Sequence, residues 1–168
     1  MNPTEQAFAF NQKKLEDSIN ELKKTQSILS RKYRIMVFFT YLSKTSIIVF
    51  GLVIGTNFFE STVAVLGFLI ALLTGLEPLF LNSALIGELG SGATKLSQTF
   101  DEVRLEHNEI VNNYIVSKKG KNSNGPEHFV NSLGDLEAKV SNTVLNVKKK
   151  IERAKVTQVK KLFKGGKH

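Results

Sequence analysis

A single long apolar run dominates the pattern of hydrophobic and polar positions along the chain. It extends from Ile35 to Leu81, and only three charged residues interrupt it: Lys44, Glu60 and Glu77. A transmembrane helix needs about 20 mostly apolar residues to cross a hydrocarbon core of about 30 Å. The run is therefore long enough for two crossings, and it predicts an integral membrane protein.

The middle of the run has the composition of a turn. Residues 55–61 read GTNFFES, in which glycine, asparagine and serine are typical turn formers. Two spans joined by a short turn form a hairpin. The sequence thus predicts a transmembrane hairpin over residues 35–82, with spans at about 35–55 and about 61–81.

Basic residues flank the run and are missing from its turn. Arg31, Lys32 and Arg34 immediately precede the first span, and further basic residues follow the second span, whereas the turn contains neither Lys nor Arg. Lys and Arg near the ends of spans mark the cytoplasmic side of a membrane. We therefore expect both termini to be cytoplasmic and the turn to lie outside.

The N-terminal segment, residues 1–34, has the periodicity of an amphipathic helix. Large apolar residues recur at every seventh position, namely Phe8, Leu15, Leu22 and Leu29. Positions seven residues apart lie on the same face of an α-helix. This segment therefore predicts a cytoplasmic helix with one apolar stripe.

Two more amphipathic helices are predicted after the hairpin. Segment 83–117 repeats its stripe residues in a four-three spacing, which is typical of a coiled coil. A loop is predicted at 118–126, and Pro126 suits the first turn of a last helix, 127–168, that ends in a basic tail. The stripe of the first of these helices contains Leu89, Ala93, Leu96, Phe100, Val103, His107, Ile110 and Tyr114. The stripe of the second contains Leu133, Leu136, Val140, Val144, Val147, Ile151 and Ala154.

These elements predict an all-α fold, an integral membrane hairpin with long cytoplasmic amphipathic or coiled-coil helices. Three apolar stripes must be buried, either against one another in a small bundle or against copies of the same chain. A glycine cluster, Gly87, Gly90 and Gly92, follows the second span. It indicates either a kink at the membrane exit or close packing against the first helix.

Small residues recur within both predicted spans. Gly51 and Gly55 form a GxxxG motif, and Gly67, Ala71 and Gly75 repeat at every fourth position. Small side chains let helix backbones approach closely inside a bilayer. These two faces are candidate helix-packing surfaces, either for assembly of an oligomer or for packing within one hairpin.

Lys44 and Glu77 are the candidate polar residues inside the membrane. A charge at the centre of a span costs on the order of 2.5–3.5 kcal/mol on insertion scales. Three alternatives account for the pair: both side chains snorkel to the headgroups, they form an ion pair within one hairpin or between neighbouring copies, or they line a pore.

The positive charge of the chain is concentrated near its C-terminal end. The formal net charge is +8, and residues 148–168 contain nine Lys and Arg against one Glu. A basic residue near an anionic leaflet gains about 1 kcal/mol, so we expect this tail to contact anionic lipid, with a solvated end as the alternative. Nucleic acid is not expected as a partner, because aromatic residues that would stack on bases are nearly absent from the tail. The candidate lipid contacts are Lys148, Lys149, Lys150, Arg153, Lys160, Lys161 and Lys164.

The sequence contains no recognisable catalytic, metal-binding or cofactor-binding set. It has no cysteine, and its three histidines, His107, His128 and His168, are far apart along the chain. Nucleophile-elbow, P-loop and zinc-protease motifs are missing. We therefore expect a protein that is not an enzyme and uses no cofactor or metal.

This order of parts resembles the SLATT family of bacterial two-transmembrane effector domains. The resemblance rests on the charged N-terminal helix ending in RKYR at 31–34, the tight hairpin, and the long amphipathic helix ALIGELGSGATKLSQTFDEVRLEHNEIVNNY at 84–114. It covers nearly the whole chain and is one of layout and helix pattern. It implies a pore-forming or membrane-disrupting effector in bacterial conflict systems, often coupled to nucleotide-signal sensors.

The leading functional hypothesis is a membrane effector that forms homo-oligomers and permeabilises the bacterial inner (cytoplasmic) membrane, in antiphage or conflict defence. A cytosolic sensor or a nucleotide-synthesising protein is a candidate partner. Two alternatives stay open: a membrane-anchored coiled-coil scaffold that recruits a cytosolic partner, and a phage holin-like pore.

Overall fold

The protein is all-α over the residues that the computed structural model describes, which are 3–55, 63–80, 83–119 and 126–164. The helices in chain order are α1 (Pro3–Gly55), α2 (Val63–Phe80), α3 (Ser83–Lys119) and α4 (Pro126–Lys164). The predicted fold class is confirmed at this level.

Helix α1 joins the predicted N-terminal helix and the predicted first span into one helix of 53 residues. It begins at Pro3, a position where the missing backbone N–H is tolerated, and Glu5 in its first turn interacts favourably with the helix dipole. From residue 4 to residue 50 it contains neither Gly nor Pro, so no residue in this stretch favours a break. The predicted turn at 55–61 lies outside the described residues, apart from Gly55 at the end of α1.

The chain divides into two compact units. The first, which we call the bundle unit, contains Met1–Leu29 and Ser91–Lys150. The second, which we call the apolar unit, contains Ser30–Gly90 and Ile151–His168. Of the predicted loop at 118–126, residues 120–125 lie outside the described part of the chain.

The bundle unit buries the predicted stripes of α1 and α4 and part of the stripe of α3, in which Phe100, His107, Ile110 and Tyr114 are half-buried. In α1, Leu15 and Leu22 have 0% of their surface exposed. In α3, the same is true of Leu96 and Val103. The stripe of α4 is buried at every position from Leu133 to Val147. The alternative in which the stripes are buried against one another is therefore confirmed for these three segments.

The direction of the helices in the bundle unit follows from contacts between side chains. The Asn11 Nδ2 donates to the Val130 carbonyl at 3.0 Å, and the Ser18 hydroxyl donates to Glu137 at 3.2 Å. Both pairs are separated by 119 residues, so α1 and α4 run parallel in register.

Helix α3 runs antiparallel to both of its neighbours. Near the start of α1, the Phe8 ring stacks on the Tyr114 ring with centroids 3.8 Å apart. Further along α1, the Lys23 ammonium lies 5.9 Å from the centroid of the Phe100 ring. Tyr114 also contacts the Phe129 ring edge-on at 5.9 Å, which places one aromatic residue from each helix at the same end of the bundle.

The apolar unit contains the apolar part of the candidate membrane-spanning helix, from Ser30 onwards. Among the described residues, α1 is the one helix long and apolar enough to cross a membrane, and none of its most apolar 18-residue window is buried. Helix α2 contributes a shorter apolar stretch, Val63–Gly75. Large apolar side chains on both helices are exposed, including Phe38, Tyr41, Leu52 and Phe68. An exposed apolar surface of this extent is typical of contact with lipid or protein.

The glycine cluster at the start of α3 lies within continuous helix. Gly87, Gly90 and Gly92 are all helical. A Cβ added at Gly90 would lie 2.9 Å from the Tyr33 Cε2 atom, whereas one added at Gly87 would have no described atom within 4 Å. Of the two predicted roles for the cluster, close packing against the first helix is therefore confirmed at Gly90.

Candidate functional site in the apolar unit

The face of α1 that carries Lys44 is uncovered. At about 100° per residue, Lys44, Gly51 and Gly55 lie within about 20° of a common line along the helix. The Lys44 side chain is exposed, and none of the ion pairs among the described residues includes it. A Cβ added at Gly51 would have no described atom within 4 Å. For Gly55 the structure describes the helical backbone only.

Helix α2 has a second open face of small residues. Ala71 is exposed, and a Cβ added at Gly67 or Gly75 would have no described atom within 4 Å. Packing within one hairpin was one of the two predicted roles for these glycines. No such packing is present at Gly51, Gly67 or Gly75 among the described residues, so these positions are accessible to another helix.

Two threonine hydroxyls of the apolar helices are satisfied within their own helix. The Thr40 Oγ1 donates to the Met36 carbonyl at 2.8 Å, and the Thr74 Oγ1 donates to the Ile70 carbonyl at 2.8 Å. A polar group in hydrocarbon needs such a partner because water is not there to supply one. The Lys44 ammonium differs from these two hydroxyls, because none of the described ion pairs includes it.

Glu77 lies in the helical backbone of α2, within Val63–Phe80. Its side chain falls outside the described part of the structure. The predicted ion pair with Lys44 therefore stays a prediction.

The basic residues of α4 are solvent-accessible. Lys149, Lys150, Arg153 and Lys160 are exposed, and no ion pair links them to a described residue. Lys148 differs, because its ammonium contacts Glu21 of α1 at 2.8 Å within the bundle unit. The side chains of two further candidates lie outside the described part of the structure, those of Lys161 and Lys164.

Ion pairs between helices of the bundle unit are a feature that the sequence did not reveal. The Lys139 ammonium of α4 donates to Glu106 of α3 at 2.8 Å and lies 3.3 Å from Glu102. The hydrogen bond to Glu106 raises the pKa of Lys139 above its ordinary value, with a smaller contribution from Glu102. A hydrogen bond to Glu5, 2.6 Å away, similarly raises the pKa of Lys118.

His107 occupies the bundle position that its heptad spacing indicates. Its Nε2 atom is buried and has no hydrogen-bond partner among the described residues. A search of the described residues for groups of three or more His, Asp or Glu able to hold a metal ion finds none.

The cavities of the bundle unit are shallow. A groove of about 370 Å³ between α3 and α4 is lined by residues that include Glu106, Glu109, Asp135 and Lys139. A smaller one of about 260 Å³ lies between α1 and α3 beside Lys23 and Asp101. The side chains around both are mainly charged and polar surface residues, which do not form the apolar enclosure typical of a small-molecule site.

Comparison of the chain with models of known protein families, with curated proteins and with solved structures finds no match.

Proposed function

We propose that this protein is an integral membrane effector that forms homo-oligomers and permeabilises the bacterial inner membrane, in antiphage or conflict defence. In this proposal α1 and α2 form a two-span hairpin whose termini are both cytoplasmic. The resemblance to the SLATT family supports the same function, and it suggests a cytosolic sensor or nucleotide-synthesising protein as a partner.

The observation that carries the proposal is the uncovered state of both small-residue faces. Helices associate in a bilayer through small residues, because lipid offers no hydrophobic driving force between them. At Gly51, Gly67 and Gly75 the described chain supplies no neighbour within 4 Å. A second copy of the chain would supply that neighbour and would bring Lys44 out of direct contact with lipid.

The basic part of α4 supports a position at the membrane surface. Lys149, Lys150, Arg153 and Lys160 are exposed and free of described ion pairs. Basic side chains close to anionic headgroups are attracted by the surface potential of the cytoplasmic leaflet. We propose anionic lipid as the partner of these residues.

The membrane-anchored scaffold is the weaker candidate function. It requires the seam of α3 to bind a cytosolic partner, yet the seam residues Leu96 and Val103 are fully buried. A partner would have to open the bundle before it could reach them. The holin-like pore is also a weaker candidate. It needs only the hairpin and a basic tail, so it does not explain the packing of three helices in the bundle unit.

The test is membrane integrity during induced expression, followed with a potential-sensitive dye and with propidium uptake. We expect the wild type to depolarise cells. Gly67→Leu should abolish the effect because it fills an open small-residue face. Val65→Leu is the matched control, since Val65 is 58% exposed on a different side of α2 and the substitution keeps the helix apolar.

Membrane levels of the variants are matched by immunoblot, and crosslinking reports the oligomer. An intact membrane potential in cells that express the wild type at normal levels would reject the proposed function. Equal depolarisation by Gly67→Leu and Val65→Leu would instead mean that the small-residue face of α2 is not a contact surface of the oligomer.

A further inference from the structure

The charged residues of α1 within the apolar unit all have the same sign. Residues 30–55 contain Arg31, Lys32, Arg34 and Lys44 and no Asp or Glu. The three basic residues at 31–34 are exposed, as is Lys44. At about 100° per residue, Arg31, Lys32 and Arg34 lie about 80–140° away from the direction of Lys44. The charge that α1 itself presents along the Lys44 face is therefore the positive charge of Lys44.

Lys44 lies near the middle of the apolar part of α1. It follows Arg34 by ten residues and precedes Gly55, the last residue of the helix, by eleven. At 1.5 Å per residue these separations are about 15 Å and about 16 Å. Snorkelling is the solution for basic residues near the ends of a span, and Lys44 is far from both ends. A charge at this depth faces a water-filled cavity or a polar partner rather than lipid.

The glycines on the same face make room for such a cavity. Gly51 lies seven residues beyond Lys44, or about 10 Å along the axis. Helices that meet at GxxxG motifs cross at about 40°. At the level of Lys44, two helices crossing at Gly51 are displaced laterally by on the order of 7 Å. Contact at Gly51 and Gly55 thus leaves the Lys44 side chains in the widening space between neighbouring helices.

We propose that Lys44 lines the conduction path of the oligomer and makes it selective for small inorganic anions such as chloride. Rings of Lys or Arg select anions because they attract them electrostatically and repel cations. This inference rests on the proposed pore function and goes beyond it by naming the permeant class and the residue that selects it.

The experiment is the reversal potential of the purified full-length wild type in a planar bilayer under a KCl gradient. For the wild type we expect a reversal potential that is shifted from zero towards the equilibrium potential of chloride. Lys44→Gln should move the reversal potential towards zero, and Lys44→Glu should move it beyond zero, towards the equilibrium potential of potassium. Lys44→Arg should keep the sign of the wild-type reversal potential. Lys24→Gln is the matched control, because Lys24 is an exposed lysine of the bundle unit and its loss should leave the potential unchanged.

Each contrary result has a separate meaning. A wild-type current that favours potassium, or a potential that Lys44→Glu leaves unchanged, overturns the anion pathway and leaves the pore function standing. A larger shift in Glu77→Gln than in Lys44→Gln assigns selectivity to the carboxylate and likewise overturns the role of Lys44. Wild-type protein that inserts and gives no current rejects the pore and this inference together.

Discussion

At the scale of single residues, Gly90 is the position where a missing side chain makes a contact possible. The ring of Tyr33 lies directly over it, so a Cβ there would approach the Tyr33 Cε2 atom to 2.9 Å. Close approach of a side chain to backbone is a recurring use of glycine. The contact holds the start of α3 against the part of α1 that carries the basic residues at 31–34, within the apolar unit.

We predict that Gly90→Ala is less stable than Gly87→Ala. Both substitutions gain about 1 kcal/mol of helix propensity, but only Gly90→Ala forces the Tyr33 ring to move, at a cost of about 1–3 kcal/mol. Unfolding of the detergent-solubilised protein by heat or denaturant measures the difference. In a Tyr33→Ala background the difference between the two variants should vanish. A difference that persists there would mean that the ring is not the cause.

At the scale of helices, ion pairs connect α4 to α3 at the surface of the bundle unit. Lys139 contacts both Glu102 and Glu106, and its raised pKa means that the folded state holds the Lys139 proton more tightly than the unfolded state does. The stabilisation is therefore complete below the ordinary pKa of 10.5 and is lost as the pH rises through the higher value of the folded protein.

We predict that Lys139→Gln loses stability less steeply than the wild type when the pH is raised beyond about 10.5, the ordinary lysine value. At neutral pH the variant should be slightly less stable, by the modest amount typical of exposed ion pairs. Denaturant unfolding at several pH values measures both effects. Lys149→Gln is the control, because Lys149 is exposed and has no described ion pair, so its pH profile should match that of the wild type. Identical profiles for all three proteins would contradict the prediction.

The buried stripes of the helices were predictable because they depend on local spacing. Leu15 and Leu22 of α1 are seven residues apart, as are Leu96 and Val103 of α3. Any arrangement that buries one member of such a pair on a helix face buries the other on that face too. The parallel register of α1 with α4 was not predictable. It is fixed by single polar contacts such as the one between Asn11 and the Val130 carbonyl, which join residues 119 positions apart and leave no periodic signal in the sequence.

The candidate site was predictable in composition and only partly in geometry. A lysine within a long apolar run and repeated glycines are evident from the sequence, and helical periodicity places Lys44 on the same face as Gly51. Whether the glycines pack within the chain depends on its tertiary structure, and the open space at Gly51 and Gly67 could be learned only there. Of the second predicted span, at about 61–81, the structure describes helix α2 over Val63–Phe80.

At the scale of the whole molecule, positive charge is segregated from a neutral remainder. Residues 148–168 account for the entire formal charge of +8, and several of their side chains are exposed without ion pairs to described residues. Net charge of this kind favours attraction to anionic surfaces. A transmembrane span in the same chain would already anchor the protein in the bilayer. The attraction would therefore hold the tail at the membrane surface and would not be needed for membrane binding.

We predict that anionic lipid protects the tail from proteolysis. In liposomes that contain phosphatidylglycerol, trypsin should cleave after Lys149, Lys150 and Arg153 more slowly than in purely zwitterionic liposomes, because headgroup contact shields these side chains. Raising the salt concentration should remove most of the protection, since the Debye length falls from about 10 Å at 0.1 M to about 3 Å at 1 M. Mass spectrometry of the released peptides gives the rate at each site.

Cleavage after Lys13 and Lys24, exposed lysines of the bundle unit, provides the internal control and should proceed at the same rate in both lipids. Protection at these sites too would indicate a general effect of surface charge on the protease. Equal cleavage of the tail in both lipids would mean that it is solvated, and the basic residues would then have no role at the membrane. Protection confined to the tail would place a positively charged surface on the cytoplasmic leaflet, on the same side as Arg31, Lys32 and Arg34 of the proposed hairpin.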